Sequence, residues 1–232
     1  MTLKNILKHA SAIAFGSAVL ISNSASAQFN GYMNVFQTDC TSYVFGQPWG
    51  TAALRASGDT SITLQANTNT YDDNPGDAFW IDAGTGAGAK CMQANYYEET
   101  AYPVLPADTV VSMSGWVDTN TLTGHSAVAV VKVFDGANNF IFQVDSALVE
   151  GQAYSVEVDL SARAGENLIV QSGFTMVGPN VAGTSAAADQ KVELRVGATG
   201  VSGGPGGDVT GIPVLPLWAL FGLAGLIGLM GL

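Results

Sequence analysis

The 232-residue chain is long enough for one β-rich domain with extra segments at its ends, and its 47% apolar content fills one core but not two large catalytic domains. Lys4 and Lys8 fall in the first 27 residues, so the remainder carries six of the 8 Lys/Arg against 19 Asp/Glu, a net −13; with no basic cluster, nucleic acid is excluded as a partner, because phosphate binding needs several cations. Only 12% of residues are charged and 28 are Gly, a mix that suits short strands and tight turns rather than a helical bundle.

Residues 1–27 set Lys4 and Lys8 ahead of an uncharged stretch, residues 10–21, and then a short polar run ending Ala25-Ser26-Ala27. This is the three-part layout of a secretory signal peptide, with signal peptidase expected to cut between Ala27 and Gln28. The expected mature chain lies outside the cytoplasm and holds two cysteines, Cys40 and Cys91. An even count in an oxidising compartment predicts a disulfide. Its closed loop of 51 residues is worth on the order of 4 kcal/mol in chain entropy. The absence of a CxxC pattern, and a single histidine after residue 27, His125, speak against zinc.

From about residue 40 to 198 the chain is a series of short runs rich in Val, Thr and aromatics, separated by Gly, Asn and Asp. Thr60-Ser61-Ile62-Thr63-Leu64 alternates, as does Val110-Val111-Ser112-Met113-Ser114-Gly115-Trp116-Val117, with Trp116 expected in the core. Residues 128–134, the turn Asp135-Gly136-Ala137-Asn138 and residues 140–144 read as a hairpin. Next, Tyr154, Val156, Val158 and Leu160 share one face of a strand, opposite Ser155, Glu157 and Asp159. Residues 168–177 and 191–196 close the series. Around ten strands without crossover helices require antiparallel pairing and predict an all-β fold, a single jelly-roll β-sandwich over residues 28–200.

Five features occur in order: Trp49-Gly50-Thr51 before a strand, Ala89-Lys90-Cys91-Met92, Ser112-Met113-Ser114-Gly115-Trp116-Val117, Lys132-Val133-Phe134-Asp135-Gly136, and Val192-Glu193-Leu194-Arg195-Val196. This order resembles the non-catalytic carbohydrate-binding modules of the galactose-binding-like jelly-roll superfamily. The resemblance covers roughly 155 residues and implies a sandwich, a polysaccharide partner and, in many such modules, a structural Ca²⁺. Where such modules often place a Trp before the strand after the hairpin, this chain has Ala153-Tyr154.

Sugar binding needs aromatic rings for the pyranose C–H face and amide or carboxylate groups for hydroxyls. The segment from Asn67 to Trp80 holds both, and Asn69, Tyr71, Asn74 and Trp80, with Trp49, are the candidate ligand-binding residues. The default is a solvated turn whose Phe79 and Trp80 enter the next strand and point into the core on one side. The oxygens of Asp72, Asp73, Asn74, Asp77 and Asp82 are candidate Ca²⁺ ligands beside the Gly76 turn, against an unliganded acidic loop as the default. Enzyme readings have little support. His125 sits in a turn-like Thr123-Gly124-His125-Ser126, and the GxSxG match at Gly200-Val201-Ser202-Gly203-Gly204 lies in a glycine linker. Glu157 and Asp159 alternate with Val as outer-face charges, and Glu98 and Glu99 point to opposite sides of a strand.

Residues 201–211 form a Gly-rich linker, and residues 212–232 carry no charge. A helix starting at Pro216 leaves about 16 further residues, roughly 24 Å of rise, near the lower limit for crossing a membrane. Here Ile212-Pro213-Val214-Leu215-Pro216, followed by Trp218 and a Gly/Leu-rich run, resembles the C-terminal sorting signals of Gram-negative bacteria, the PEP-CTERM group and its IPTL and GlyGly relatives. The resemblance implies cutting by an exosortase- or rhombosortase-type membrane protease; no Lys or Arg follows the apolar run. A plain membrane anchor is the alternative. The expected protein is an exported, non-catalytic surface or matrix protein that binds glycan, its own exopolysaccharide included; the rival is a structural or adhesive surface protein with no sugar site, and a remote one is a glycoside hydrolase.

Overall fold

Period-two alternation becomes eleven strands in the computed structural model, which describes residues 29–197. The expected signal peptide with Ala27 and Gln28, the linker at 201–211 and the tail with Pro213, Pro216 and Trp218 lie outside the described residues. The strands are β1 (Asn30–Phe36), β2 (Tyr43–Pro48), β3 (Ala56–Ser57), β4 (Ser61–Gln65), β5 (Cys91–Tyr102), β6 (Val110–Asn120), β7 (Ser126–Asp135), β8 (Phe140–Ala147), β9 (Ala153–Asp159), β10 (Leu168–Pro179) and β11 (Lys191–Val196). One four-residue helix, α1 (Asn69–Asp72), sits in the long connection after β4.

A six-stranded sheet runs β2-β1-β5-β10-β7-β8 and a five-stranded sheet runs β3-β4-β11-β6-β9, with antiparallel pairing throughout. After β4 the chain changes sheet at each connection except the β7–β8 hairpin, so neighbours in sequence are mostly partners across the sandwich. This is the jelly-roll-type sandwich that the strand pattern predicts.

The alternation decides which face is dry. In β9 the buried residues are Tyr154, Val156 and Val158, while Ser155, Glu157 and Asp159 are exposed. Met33 and Val35 of β1, Phe174 and Met176 of β10 and Val131 and Val133 of β7 face Ile62, Leu64, Val117, Val192 and Leu194 of the other sheet in one continuous core. Burying each such side chain contributes about 1.5–3 kcal/mol. Tyr154 and Phe174, from opposite sheets, meet edge to face with ring centroids 5.8 Å apart.

The predicted disulfide is present: Cys40 in the β1–β2 turn is bonded to Cys91, the first residue of β5, with Cα atoms 5.1 Å apart. Two expectations are corrected. Trp116 is not a core residue, because Gly115 and Val117 take the buried face of β6 and Trp116, paired with Arg195 and Ala153, falls on the outer face. Phe79 and Trp80 do not enter a strand either, although Trp80 packs, partly buried, against the core as expected. The carboxylate of Asp77 accepts the Phe79 N–H at 2.8 Å and the Asp77 carbonyl accepts from Trp80 and Ile81, so a turn replaces extended backbone there.

Strands β5 and β10 pair over their whole length, from Cys91 opposite Pro179 to Tyr102 opposite Leu168. Twelve residues each, they make a platform about 40 Å long at the middle of the six-stranded sheet.

Candidate functional site

The outer face of that platform is where the chemistry collects. Period two puts Tyr32 and Asn34 of β1, Gln93, Asn95, Tyr97 and Glu99 of β5, and Gln171, Gly173 and Thr175 of β10 on the side away from the core. Lys132 of β7 lies opposite Gln171 on the same side. A stripe of amide and aromatic side chains therefore covers the sheet where an ordinary solvated face would carry scattered charges.

Asn95 is the centre of the polar floor and is only 5% exposed. Its Oδ1 accepts from Lys132 Nζ at 2.6 Å and from Thr175 Oγ1 at 2.9 Å, and its Nδ2 donates to the carbonyls of Tyr32 and Gln93, both at 3.2 Å. Asn34 Nδ2 donates to Gln93 Oε1 at 2.7 Å, and Gln171 Nε2 donates to Glu99 Oε2 at 2.8 Å. Each bond fixes one rotamer, so the face is organised before any ligand arrives. Burial lowers the Lys132 ammonium from its ordinary value to about 8. The Tyr97 phenol is pushed up, first by burial and then by the Glu99 and Tyr32 charges.

Over this floor opens a cleft of about 500 Å³, walled by Tyr32 and Tyr97 on one side and Phe134 and Asn138 on the other. A second hollow of about 620 Å³ shares Tyr32, Pro48, Tyr97 and Glu99 with it and adds Trp49 and Thr51. A third, about 470 Å³, shares Pro48 and Trp49 and reaches Asn69, Asp73, Asn74 and Trp80. Pro48 lines all three, which follow one another from the Lys132 end of the sheet face to Trp80 at the sheet edge; together they are called the trough.

The trough brings together four of the five predicted ligand residues, Trp49, Asn69, Asn74 and Trp80. Tyr71 is apart, its hydroxyl donating to the Gly86 carbonyl at 2.6 Å. Asn180, fully buried, fixes the far end: its Nδ2 donates to the Trp80 carbonyl at 2.9 Å and its Oδ1 accepts the Lys90 N–H at 3.1 Å. Trp80 also packs edge-on against Phe79 and Phe45, at centroid distances of 4.8 and 6.2 Å.

The acidic loop does not converge on a cation. Asp72 accepts the Gly183 N–H at 2.9 and 3.1 Å, Asp77 serves Phe79, and Asp82 accepts the Gly84 and Thr85 N–H groups at 3.0 and 2.7 Å. Bonds from the Thr85 side chain and backbone hold the Asp82 carboxyl below its ordinary range. Asp73 and Asn74 line the trough instead. Among the described residues no group of three or more His, Cys, Asp and Glu is arranged to hold a metal, so the expected Asp72, Asp73, Asn74, Asp77, Asp82 set is not assembled: Asp77 and Asp82 are taken by the N–H groups of their own turns and Asp72 by the distant Gly183 N–H. His125 is in its expected turn, with Nε2 bonded to the Pro179 carbonyl at 3.0 Å.

Sequence reading passed over Tyr32, Asn34, Asn95, Tyr97, Lys132 and Gln171. Their signal was available as Asn30-x-Tyr32-x-Asn34 and Gln93-x-Asn95-x-Tyr97-x-Glu99, amide and aromatic residues recurring at the strand period.

No protein-family model matches the chain. No curated protein matches it. Among solved structures it is similar to the enzymatically active domain of tailspike protein 4 of bacteriophage CBA120, at 13% identity and TM-score 0.34, covering 60% of this chain and 15% of that one. It is also similar to the carbohydrate-binding module TmCBM61 in complex with beta-1,4-galactotriose, at 12% identity and TM-score 0.27, covering 73% and 86% of the two chains. A third is the CBM22-2 xylan-binding domain from Paenibacillus barcinonensis, at 9% identity and TM-score 0.24, covering 63% and 90%. The chain thus spans under a fifth of the length of the tailspike chain and most of the length of the two modules.

Proposed function

We propose that this is an exported, non-catalytic surface or matrix protein that binds glycan along the trough from Lys132 to Trp80 and is sorted through its hydrophobic C-terminal segment. The observation that carries the reading is the buried, fully bonded Asn95 beneath a cleft walled by Tyr32, Tyr97 and Phe134, with Trp49 and Trp80 in the adjoining hollows. Rings offer flat apolar surface to sugar C–H faces, and Asn and Gln side chains both donate and accept, as a hydroxyl does. The cleft over Asn95 is lined by a single carboxylate, Glu99, whereas hydrolysis of a glycosidic bond uses two facing each other, which favours binding over cleavage. Export is supported by the signal-like residues 1–27 and agrees with the disulfide, a bond of oxidising compartments.

Affinity electrophoresis through gels containing neutral and acidic polysaccharides tests the binding. Retardation in at least one polymer, reduced by Tyr97→Ala, is expected; free migration in every polymer returns the protein to the structural or adhesive reading. Comparing the mass of the exported product with the full-length value tests sorting: loss of the apolar segment beyond Ile212 marks processing, and its retention marks a plain anchor.

A further inference from the structure

Lys132 rises from β7, next to the central β10 of the six-stranded sheet, with its ammonium bonded to a neutral partner, Asn95 Oδ1, at 2.6 Å. The ion pairs among the described residues, Arg163–Glu166, Lys191–Glu193 and Arg195–Asp118, all lie elsewhere, and none neutralises it. A half-buried ammonium with no ion-pair partner holds an arriving anion more strongly than a fully exposed lysine does. Nζ has three donors and Asn95 takes one; the cleft of about 500 Å³ opens beside the others. Glu99, two strands away, is engaged by Gln171 Nε2 at 2.8 Å, so the cleft has a cationic side at β7 and an anionic side at β5. A ligand that matches both ends offers a carboxylate to one and hydroxyls to the other.

We propose that the ligand of this cleft is an acidic glycan, with Lys132 receiving the carboxylate of a hexuronate ring, Glu99 accepting its hydroxyls and Tyr97 and Phe134 bordering the sugar. This rests on the glycan-binding reading and narrows it to one substrate class. The chain's net charge after residue 27, −13, repels polyanions at long range, so the attraction is local and shows best at about 0.15 M salt, where distant charges are screened.

The test measures equilibrium binding of the full-length protein, solubilised in mild detergent, to polygalacturonate and alginate. The same two polymers are measured after carboxyl reduction, alongside neutral galactan, xylan and dextran. At least one acid form is expected to bind about tenfold or more tightly than its reduced counterpart, the low end of one charge-assisted hydrogen bond. Lys132→Met, which keeps the aliphatic volume, is expected to equalise the two forms, and Lys132→Arg to preserve the preference. Equal binding of acid and reduced polymers by the wild-type protein, or binding to neutral polymers alone, overturns the uronate assignment and leaves glycan binding standing. Binding to none of the polymers overturns both. The wild-type comparison needs no variant, so a misfolded substitution does not blunt it.

Discussion

Lys132 and Asn95 are joined by a 2.6 Å hydrogen bond although their strands, β7 and β5, are not neighbours: β10 lies between them, and the register puts Gly173 at the crossing. Only a residue without a side chain leaves the lysine a path over the intervening strand. A Cβ at Gly173 would also stand 2.2 Å from the Tyr96 carbonyl oxygen and 2.6 Å from Tyr97 Cα. Gly173→Ala is therefore expected to push β10 off β5 and to cost stability and ligand retention together. Asn95→Ala keeps the backbone and removes the acceptor shared by Lys132 and Thr175, at about 1–3 kcal/mol. Urea melts of the two variants, read by tryptophan fluorescence, check both.

Retention on polysaccharide should divide the aromatic residues by position. Tyr97→Ala and Trp49→Ala, which strip the trough wall, are each expected to weaken binding about tenfold, roughly 1.4 kcal/mol. Tyr71→Phe loses only the hydroxyl bonded to Gly86 and is expected to migrate as the wild-type protein does. A ligand that engages Tyr71 as well, as the sequence-based candidate set of Asn69, Tyr71, Asn74, Trp80 and Trp49 has it, makes Tyr71→Phe lose retention too.

The sandwich was legible because burial writes itself into sequence at period two: Tyr154, Val156 and Val158 announce both their strand and its dry face. The site was half legible. Trp49, Asn69, Asn74 and Trp80 stand out through composition, since aromatic and amide residues in a turn-rich loop have no core to fill. Asn95 and Lys132 do not, because a polar residue on an outer face looks the same whether water or a bonded network surrounds it. Only the pairing of β5, β10 and β7 shows that they meet, and that pairing joins residues 37 positions apart. Trp116 was misplaced for a related reason: in Gly115-Trp116-Val117 the larger apolar residue looked like the core residue, yet Tyr154 fills the space over Gly115, with its hydroxyl oxygen 2.4 Å and its ring carbon Cζ 2.6 Å from where a Cβ would sit.

Asn180 positions the far end of the trough without lining it. Asn180→Ala leaves the buried Lys90 N–H and the Trp80 carbonyl without their side-chain partners, at about 1–3 kcal/mol. Trp80 then loses its tether to the end of β10. Stability is expected to fall, and protease cutting within residues 73–90 to rise, under native conditions. Unchanged protection in limited proteolysis counts against a positioning role.

Opening the Cys40–Cys91 bond removes a constraint on 51 residues of the unfolded chain, worth on the order of 4 kcal/mol. The bond pins the β1–β2 hairpin, which carries Tyr32 and Asn34, to the start of β5. The Cys40→Ser, Cys91→Ser double variant is expected to melt roughly 10 °C lower, given about 2–4 °C per kcal/mol for a domain of this size. Dithiothreitol should produce the same drop in the wild-type protein and none in the variant, as differential scanning calorimetry would show.

The half-buried Lys132 also makes stability depend on pH, with a sign opposite to that of a paired lysine. Burial takes the Lys132 pKa from 10.5 to about 8 in the folded protein, so between those values the unfolded chain binds a proton that the folded chain has released. Stability contributed by this group is lowest below pH 8, rises with pH across the window, and levels off near 10.5. The full shift corresponds to about 3 kcal/mol. The other titratable groups on the surrounding strands, Glu99 and Tyr97 of β5, Tyr32 of β1 and Asp145 of β8, are common to wild type and Lys132→Met, so their difference isolates the lysine. Burial first raises the Tyr96, Tyr97 and Tyr154 phenols, which lowers stability at high pH, but it does so in both proteins. Lys132→Met is therefore expected to be the more stable protein at pH 7, with its advantage shrinking steadily toward pH 10. A difference in urea midpoints that stays constant from pH 7 to 10 would mean that Lys132 keeps its proton throughout and that the cleft is wetter than its geometry indicates.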